Sequence, residues 1–295
     1  MRTMIVIILI GVVTTFTTVF AASDCFQRIG NAPETGYFFS EKLKNRSSKA
    51  TPLCNRYYVG IWLFDDLPGY RQIPVTGRIF DKDQKAISKE FQIYEFSRLD
   101  GWQPSVAPLF DKGFVVTWKQ WKTNKKIETK IRARIFETSG LPRCHSFDVS
   151  HSTGSHARPV VRGLPNGAFV VLWNRFKVGT YLKIFDRYGK PKTNEILVAT
   201  DRDVPLGDPY CGQNSHVYVT DSGTINIFMS CQSRAFEKDN NFKFARSFDS
   251  NGKPLTNKLT DNQLTNLEGY KILAERYVKD NDPALKKPER VGATH

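Results

Sequence analysis

One pattern limits what this chain can fold into: a short strand, a long turn and a second strand recur four times. The clearest copy is Gly113-Phe114-Val115-Val116-Thr117-Trp118, answered by Ile131-Arg132-Ala133-Arg134-Ile135-Phe136. Others start at Tyr58, Gly167 and Gly223 and are answered by stretches ending at Phe80, Phe185 and Phe248. The first strands end at Trp62, Trp118, Trp173 and Cys231, spaced 56, 55 and 58 residues apart. A period of this length marks a stack of similar supersecondary units rather than one irregular core.

Flanking segments enlarge each unit. Pro104–Ala107, Arg158–Val161 and His216–Val219 precede the central pair, and Glu90–Ile93, Ser146–Val149 and Glu195–Val198 follow it. A turn opening on Asp81, Glu137, Asp186 or Asp249 falls at one place in each unit. Asp bonds its own backbone there, and Gly140, Gly189 and Gly252 supply the positive φ that closes the turn, with Gln84 as substitute in the first copy. Along 127–135, Ile127, Thr129, Ile131, Ala133 and Ile135 share one face, while Glu128, Lys130, Arg132 and Arg134 share the other. Four short strands per unit outline a blade, so the chain is read as all-β and β-propeller-like, with four or five blades of about 56 residues.

The predicted organisation is a signal peptide over 1–22, a segment over 23–56 that closes or joins the ring, blades over 57–262, a ring-closing or helical segment over 263–279 and a basic tail over 280–295. Arg2 precedes the apolar run from Ile5 to Val13, and Ala21-Ala22 offers small residues for cleavage. That run is too short for a membrane anchor. The chain is therefore expected to be secreted. Within 23–56, Lys42 to Thr51 reads as an exposed loop that carries Asn45, the acceptor for N-glycosylation.

The repeat resembles a family of extracellular propeller-like repeats that read Asp-Gly-Gly-Phe-Val-Val-Thr-Trp and then Arg-x-Phe-Asp-x-x-Gly. The resemblance covers roughly 57–259, with Lys112 at a family Gly and Cys231 at a family Trp. It implies the fold; the family has no shared catalytic residues to carry over.

Export permits disulfides. Cys211 and Cys231 flank the Asp221-Ser222-Gly223 turn and fall near direct opposition; Cys25 and Cys54 are the natural second pair, which leaves Cys144 free. Pairing of Cys144 with Cys25 or Cys54 is the competing arrangement. The formal charge of +14 directs attention to anionic partners. Lys119, Lys122, Lys125, Lys126, Lys130, Arg132 and Arg134 gather on one hairpin, interleaved with Trp118 and Trp121. Such a surface suits sulfated or acidic glycans, ahead of nucleic acid, and a solvated edge face is its bland alternative. An extracellular protein partner is the other choice.

Chemistry is less visible. Gly-x-Ser-x-Gly is absent, and Ser247-Phe248-Asp249-Ser250-Asn251 has Asn where an Asp box needs Gly. His145, His151 and His156 lie in a polar loop without paired zinc-ligand spacing. Asp201, Asp203, Asp208 and the Asp249 turn are weak calcium candidates, so no cofactor is expected. The expectation is a non-enzymatic binding protein. The alternatives are a secreted glycan-active hydrolase on a propeller and an interaction scaffold.

Overall fold

The structure, a computed structural model, describes residues 48–63, 75–94, 101–110, 113–121, 128–200, 211–231 and 242–259, together with 263, 267, 268 and 270. The expected signal peptide, Cys25, Asn45 and the basic tail lie outside the described residues.

The strands form four sheets taken in chain order. The first holds β1 (Ser48–Pro52), β2 (Tyr58–Leu63), β3 (Val75–Phe80) and β4 (Phe91–Gln92). The second holds β5 (Gly101–Leu109), β6 (Gly113–Trp121), β7 (Thr129–Glu137) and β8 (Phe147–Asp148). The third holds β9 (His156–Gly163), β10 (Phe169–Arg175), β11 (Gly179–Phe185) and β12 (Ile196–Thr200), and the fourth holds β13 (Cys211–Val219), β14 (Ile225–Cys231) and β15 (Phe242–Phe248). Neighbours are antiparallel throughout. In the fourth sheet a single bridge from Ala245 to Leu259 stands where the others have a fourth strand. The first strands pack in succession, β1 on β5, β5 on β9 and β9 on β13. The fold is all-β.

The turn chemistry read from sequence is present. Asp81, Asp186 and Asp249 each accept two main-chain N–H groups on Oδ1, from residues two and four further on. Gly140, Gly189 and Gly252 have φ near +85 to +89°, and Gln84 takes the same left-handed place at φ 64°. Glu137 is too long for this bond and instead holds Arg143 at 2.7 Å. Seven residues past each turn's opening, Ser88, Thr193 and Thr256 accept an N–H of the third strand; Cys144 occupies that place in the second sheet.

Apolar layers fill the spaces between successive sheets. Val59, Ile61 and Ile79 meet Val106, Phe114 and Trp118; Val115, Ile131 and Ile135 meet Val161, Phe169 and Trp173; Val170, Leu182 and Ile184 meet Val219, Ile227 and Phe244. The far face of the fourth sheet, with Phe228 and Ala245, is covered by Leu267 and Tyr270.

The half-buried face of the third strands ties the sheets together. Arg134 reaches the carbonyl of Ile93, Lys183 that of Val149, and Arg246 those of Leu197 and Val198, at 3.2–3.5 Å. Each acceptor belongs to the end of the preceding sheet. Each cation also lies over a phenylalanine of its own strand, Phe136, Phe185 or Phe248, at 5.2–5.6 Å. Arg78 stands at the equivalent place in the first sheet and bonds Ser88 within its own unit.

Two sequence expectations need correction. Residues 48–51 are strand rather than loop: Ala50 pairs with Gly60 and is fully buried. The fourth landmark is Met229, not Cys231. Trp118 pairs with Arg132, Trp173 with Tyr181 and Met229 with Phe244, five residues before the turn in each case. Irregularities after Met229 and between Cys211 and Asn214 carry Cys231 two residues beyond the landmark.

Cys211 and Cys231 are opposed in register. Cys54 is disulfide-bonded, no pair has both sulfurs among the described side chains, and Cys144 is free.

Candidate functional site

The two ends of the sheets differ. At one, β1–β2, β9–β10 and β13–β14 are joined by tight turns, and the aspartate turns join the third strands onward. At the other lie the strand ends joined by 64–74, 95–100, 122–127, 201–210 and 232–241, none of them among the described residues. Long connections on a rigid scaffold are where binding residues concentrate, so this loop end is the candidate face.

The nine candidate anion-binding residues divide on this frame. Lys122, Lys125 and Lys126 lie outside the described residues. Trp118 is 1% exposed, stacked on Tyr94 in the layer between the first two sheets, so its ring is closed to solvent. Lys130 and Arg132 both pair with Asp148, and Arg132 also donates to the Ser146 carbonyl at 2.8 Å. Arg134 is one of the inter-sheet ties. Lys119 and Trp121 remain at the loop end, with the Lys119 ammonium 4.7 Å from the Trp121 ring centre.

The third sheet has a ring at the matching place, with its lysine one residue after the ring rather than two before it. Phe176 stands three residues past Trp173, as Trp121 stands three past Trp118, and Lys177 lies 5.5 Å from its ring centre. Phe176 is 65% exposed. Aromatic ring and ammonium together offer one face for stacking and one charge for an anion.

Beside this pair, β9 carries an irregularity between Ala157 and Val160 that contains Arg158, whose φ is +55°. β9 packs against β6, which carries Lys119. Burial pushes both cations below their ordinary pKa values, and Arg158 lowers that of Lys119 further. The irregularity had a sign in the sequence: Pro159 follows Arg158, as Pro104 follows Gln103 at the matching irregularity of β5, and proline within a strand marks a bulge or an edge.

Along the same seam, Thr129 donates its hydroxyl to the His156 carbonyl at 2.6 Å, and its oxygen accepts the His156 N–H. The His156 Nε2 lies 2.9 Å from the Ser152 carbonyl, while Nδ1 is buried without a partner. Glu195 accepts the N–H groups of His151 and Ser152 and so pins the loop before β9. Burial raises the Glu195 pKa, but these donors outweigh it and the net shift is downward. Burial lowers that of His156. No group of three or more His, Cys, Asp or Glu among the described residues is placed to hold a metal ion. Asp201, Asp203 and Asp208 lie outside them.

No family model matches the chain, and no curated protein does. Solved structures do. A protein of unknown function from Bacteroides caccae matches with TM-score 0.37 and 12% identity over 73% of this chain and 68% of its own. The Trypanosoma rangeli sialidase matches with TM-score 0.43 and 9% identity over 70% of this chain and 36% of its own. An exo-1,5-α-L-arabinanase from a bovine ruminal metagenomic library matches with TM-score 0.42 and 12% identity over 75% and 82%. The expectation of a non-enzymatic protein is corrected against this set: its members with a named activity are glycan-cleaving enzymes, so that expectation is dropped. At this distance no activity carries over, and what the chain shares with these structures is an all-β build of several small antiparallel sheets.

Proposed function

We propose that this is a secreted, propeller-like protein whose loop end engages an anionic saccharide, with each of the four sheets serving as one blade. The observation that supports this reading is a ring with an ammonium beside it at two places on this end, Trp121 with Lys119 and Phe176 with Lys177. Sugar rings stack on aromatic faces, and the neighbouring ammonium meets a carboxylate or sulfate on the same polymer. The test is binding of purified protein to polygalacturonate, a sulfated glycan and neutral arabinan. Preference for the two anionic polymers, lost in Phe176→Ala and weakened in Lys177→Gln, is the expected result. Equal retention of all three, or of none, overturns the reading.

Cleavage of such a glycan is the second reading. The stretches that join strand ends at this face hold nine carboxylates, Asp65, Asp66, Glu95, Asp100, Asp201, Asp203, Asp208, Glu237 and Asp239. Glycosidic cleavage requires two carboxyl groups on opposite sides of the bond, and 64–74 joins strands of the first sheet while 201–210 runs from the third sheet to the fourth. Release of reducing ends from the same polymers checks it; polymers that bind and stay intact limit the protein to binding.

A further inference from the structure

We propose that His156 is a proton-operated catch: its neutral ring fixes the Phe176–Lys177 tip at the loop end, and a second proton on the ring releases that tip. The catch regulates the site proposed above, so its effect on a ligand rests on the saccharide reading, while its effect on the tip does not.

His156 opens β9 and is fully buried. Its Nε2 lies 2.9 Å from the Ser152 carbonyl, which can only accept, so Nε2 carries the proton. Nδ1 is then the bare imine nitrogen, buried without a partner. The main chain around the ring is fixed as well. Thr129 bonds both the N–H and the carbonyl of His156, and its own N–H donates to the Gly154 carbonyl. Glu195 takes the N–H groups of His151 and Ser152. The last grip reaches the tip: Phe176 donates its N–H to the Ser155 carbonyl at 2.9 Å. Arg175, opposite His156 in register, lies across the loop, so that a Cβ on Gly154 would meet its Nε at 3.2 Å. Ring, loop and tip are thus one bonded unit. At the same place the second sheet has Gly101 opposite Gln120, and the fourth has Cys211 opposite Cys231. A titratable ring there marks the third sheet among these three.

A second proton must go to Nδ1. It creates a buried donor with no acceptor in reach and a charge out of contact with water, so the closed loop suits the neutral ring only. The charged groups that bear on the ring are Glu195, from the stretch ahead of β12, and Arg175 of β10, which carries the like charge. On β7 the ring's neighbour is the uncharged Thr129, and Lys130 beside it is held by Asp148. Burial is the largest influence on the ring and lowers its proton affinity below the ordinary 6.5. The released form therefore takes the proton first: the catch holds above that value and lets go as pH falls below it. Once the ring leaves, the Ser152 carbonyl loses its donor and the Ser155 carbonyl its fixed place under Phe176. A released tip must be ordered again when a ligand binds, which weakens affinity. Linkage also runs in reverse, so a ligand seated on the tip makes His156 harder to protonate.

The test uses the full chain and a fluorophore-labelled sulfated oligosaccharide, whose own charge is constant between pH 5 and pH 8. Wild-type affinity is expected to fall at least fivefold from pH 7.5 to pH 5.5, and that of His156→Gln to hold within twofold over the same range. His151, exposed in the same loop, stays in both proteins, so its titration is common to them. Arg175→Gln removes the like charge, and the loss of affinity is expected to move to lower pH. Hydrogen exchange, corrected for the intrinsic rate at each pH, reads the catch without a ligand. The amides of 151–155 and of Phe176 are expected to lose protection in acid in the wild type and not in His156→Gln, while those of β14 stay protected in both. If the wild type binds no saccharide at any pH, the functional reading fails and exchange alone decides the catch. If protection at Phe176 is independent of pH, or His156→Gln keeps the wild-type profile, the catch is wrong, and binding at neutral pH leaves the saccharide reading standing. Should His156→Gln not fold, Arg175→Gln decides: an unmoved pH profile overturns the catch.

Discussion

At the residue scale, left-handed positions make the sharpest predictions. Gln84 and Arg56 adopt φ of 64° and 66° where other units have glycine, as at Gly252 and Gly167. Replacing either with glycine relieves strain and is offset partly by unfolded-chain entropy, for a net gain of about 0.5 kcal/mol in chemical denaturation. The reverse change, Gly252→Ala, costs at least about 1–2 kcal/mol, since a Cβ there also meets Ile196 Cδ1 at 2.6 Å. Cys144 stands where three other units have Ser or Thr. Cys144→Thr is therefore expected to keep the melting temperature within two degrees. His156 gives a pH signature. Burial lowers its proton affinity, against a weaker pull from the Ser152 carbonyl and Glu195, and Arg175 adds to the lowering. The unfolded chain then binds the proton first, so stability is full above the ordinary value of 6.5 and falls as pH drops below it. Glu195, lowered in the fold, adds a second loss in the same direction below its ordinary 4.5. His156→Gln should flatten the upper loss only, as read by melting temperature between pH 7 and 5.

At the element scale, the third strand explains both what the sequence disclosed and what it hid. Alternation along 129–137 is legible because Ile131, Ala133 and Ile135 enter the layer toward the third sheet. The opposite row looked like an anion surface, yet Arg134 is a tie to the second sheet's predecessor and Lys130 and Arg132 share Asp148. Charge is visible in a sequence; the carbonyl or carboxylate that occupies it is not. Turn positions were legible for the opposite reason: an Asx turn is local, and Asp186 closes its bonds within four residues. β1 was hidden because Ser48-Lys49-Ala50-Thr51-Pro52 has little strand propensity and is held by β2 alone within its sheet. The ties themselves are testable. Lys183→Met or Arg246→Met removes a charged donor from a partly buried carbonyl and is expected to cost about 1–2 kcal/mol in denaturant unfolding, without change in saccharide binding.

At the scale of the whole molecule, the fourth sheet depends on residues beyond its last bridge. Tyr270 lies 6.1 Å from Phe228, ring centre to ring centre, and Leu267 packs beside it. Tyr270→Ala should cost about 1 kcal/mol from the ring pair and raise hydrogen exchange selectively in β14 and β15. The inter-sheet ties carry a further consequence, one for the history of such a chain. Each donor seeks a main-chain oxygen, which every residue type provides, and the second and third units each hold both a donor on the third strand and an acceptor at the end. A tandem duplication of some 56 residues, the spacing from Trp62 to Trp118, thus arrives with its own fastening on both sides. Copies can then diverge freely at the loop end without losing their grip on their neighbours.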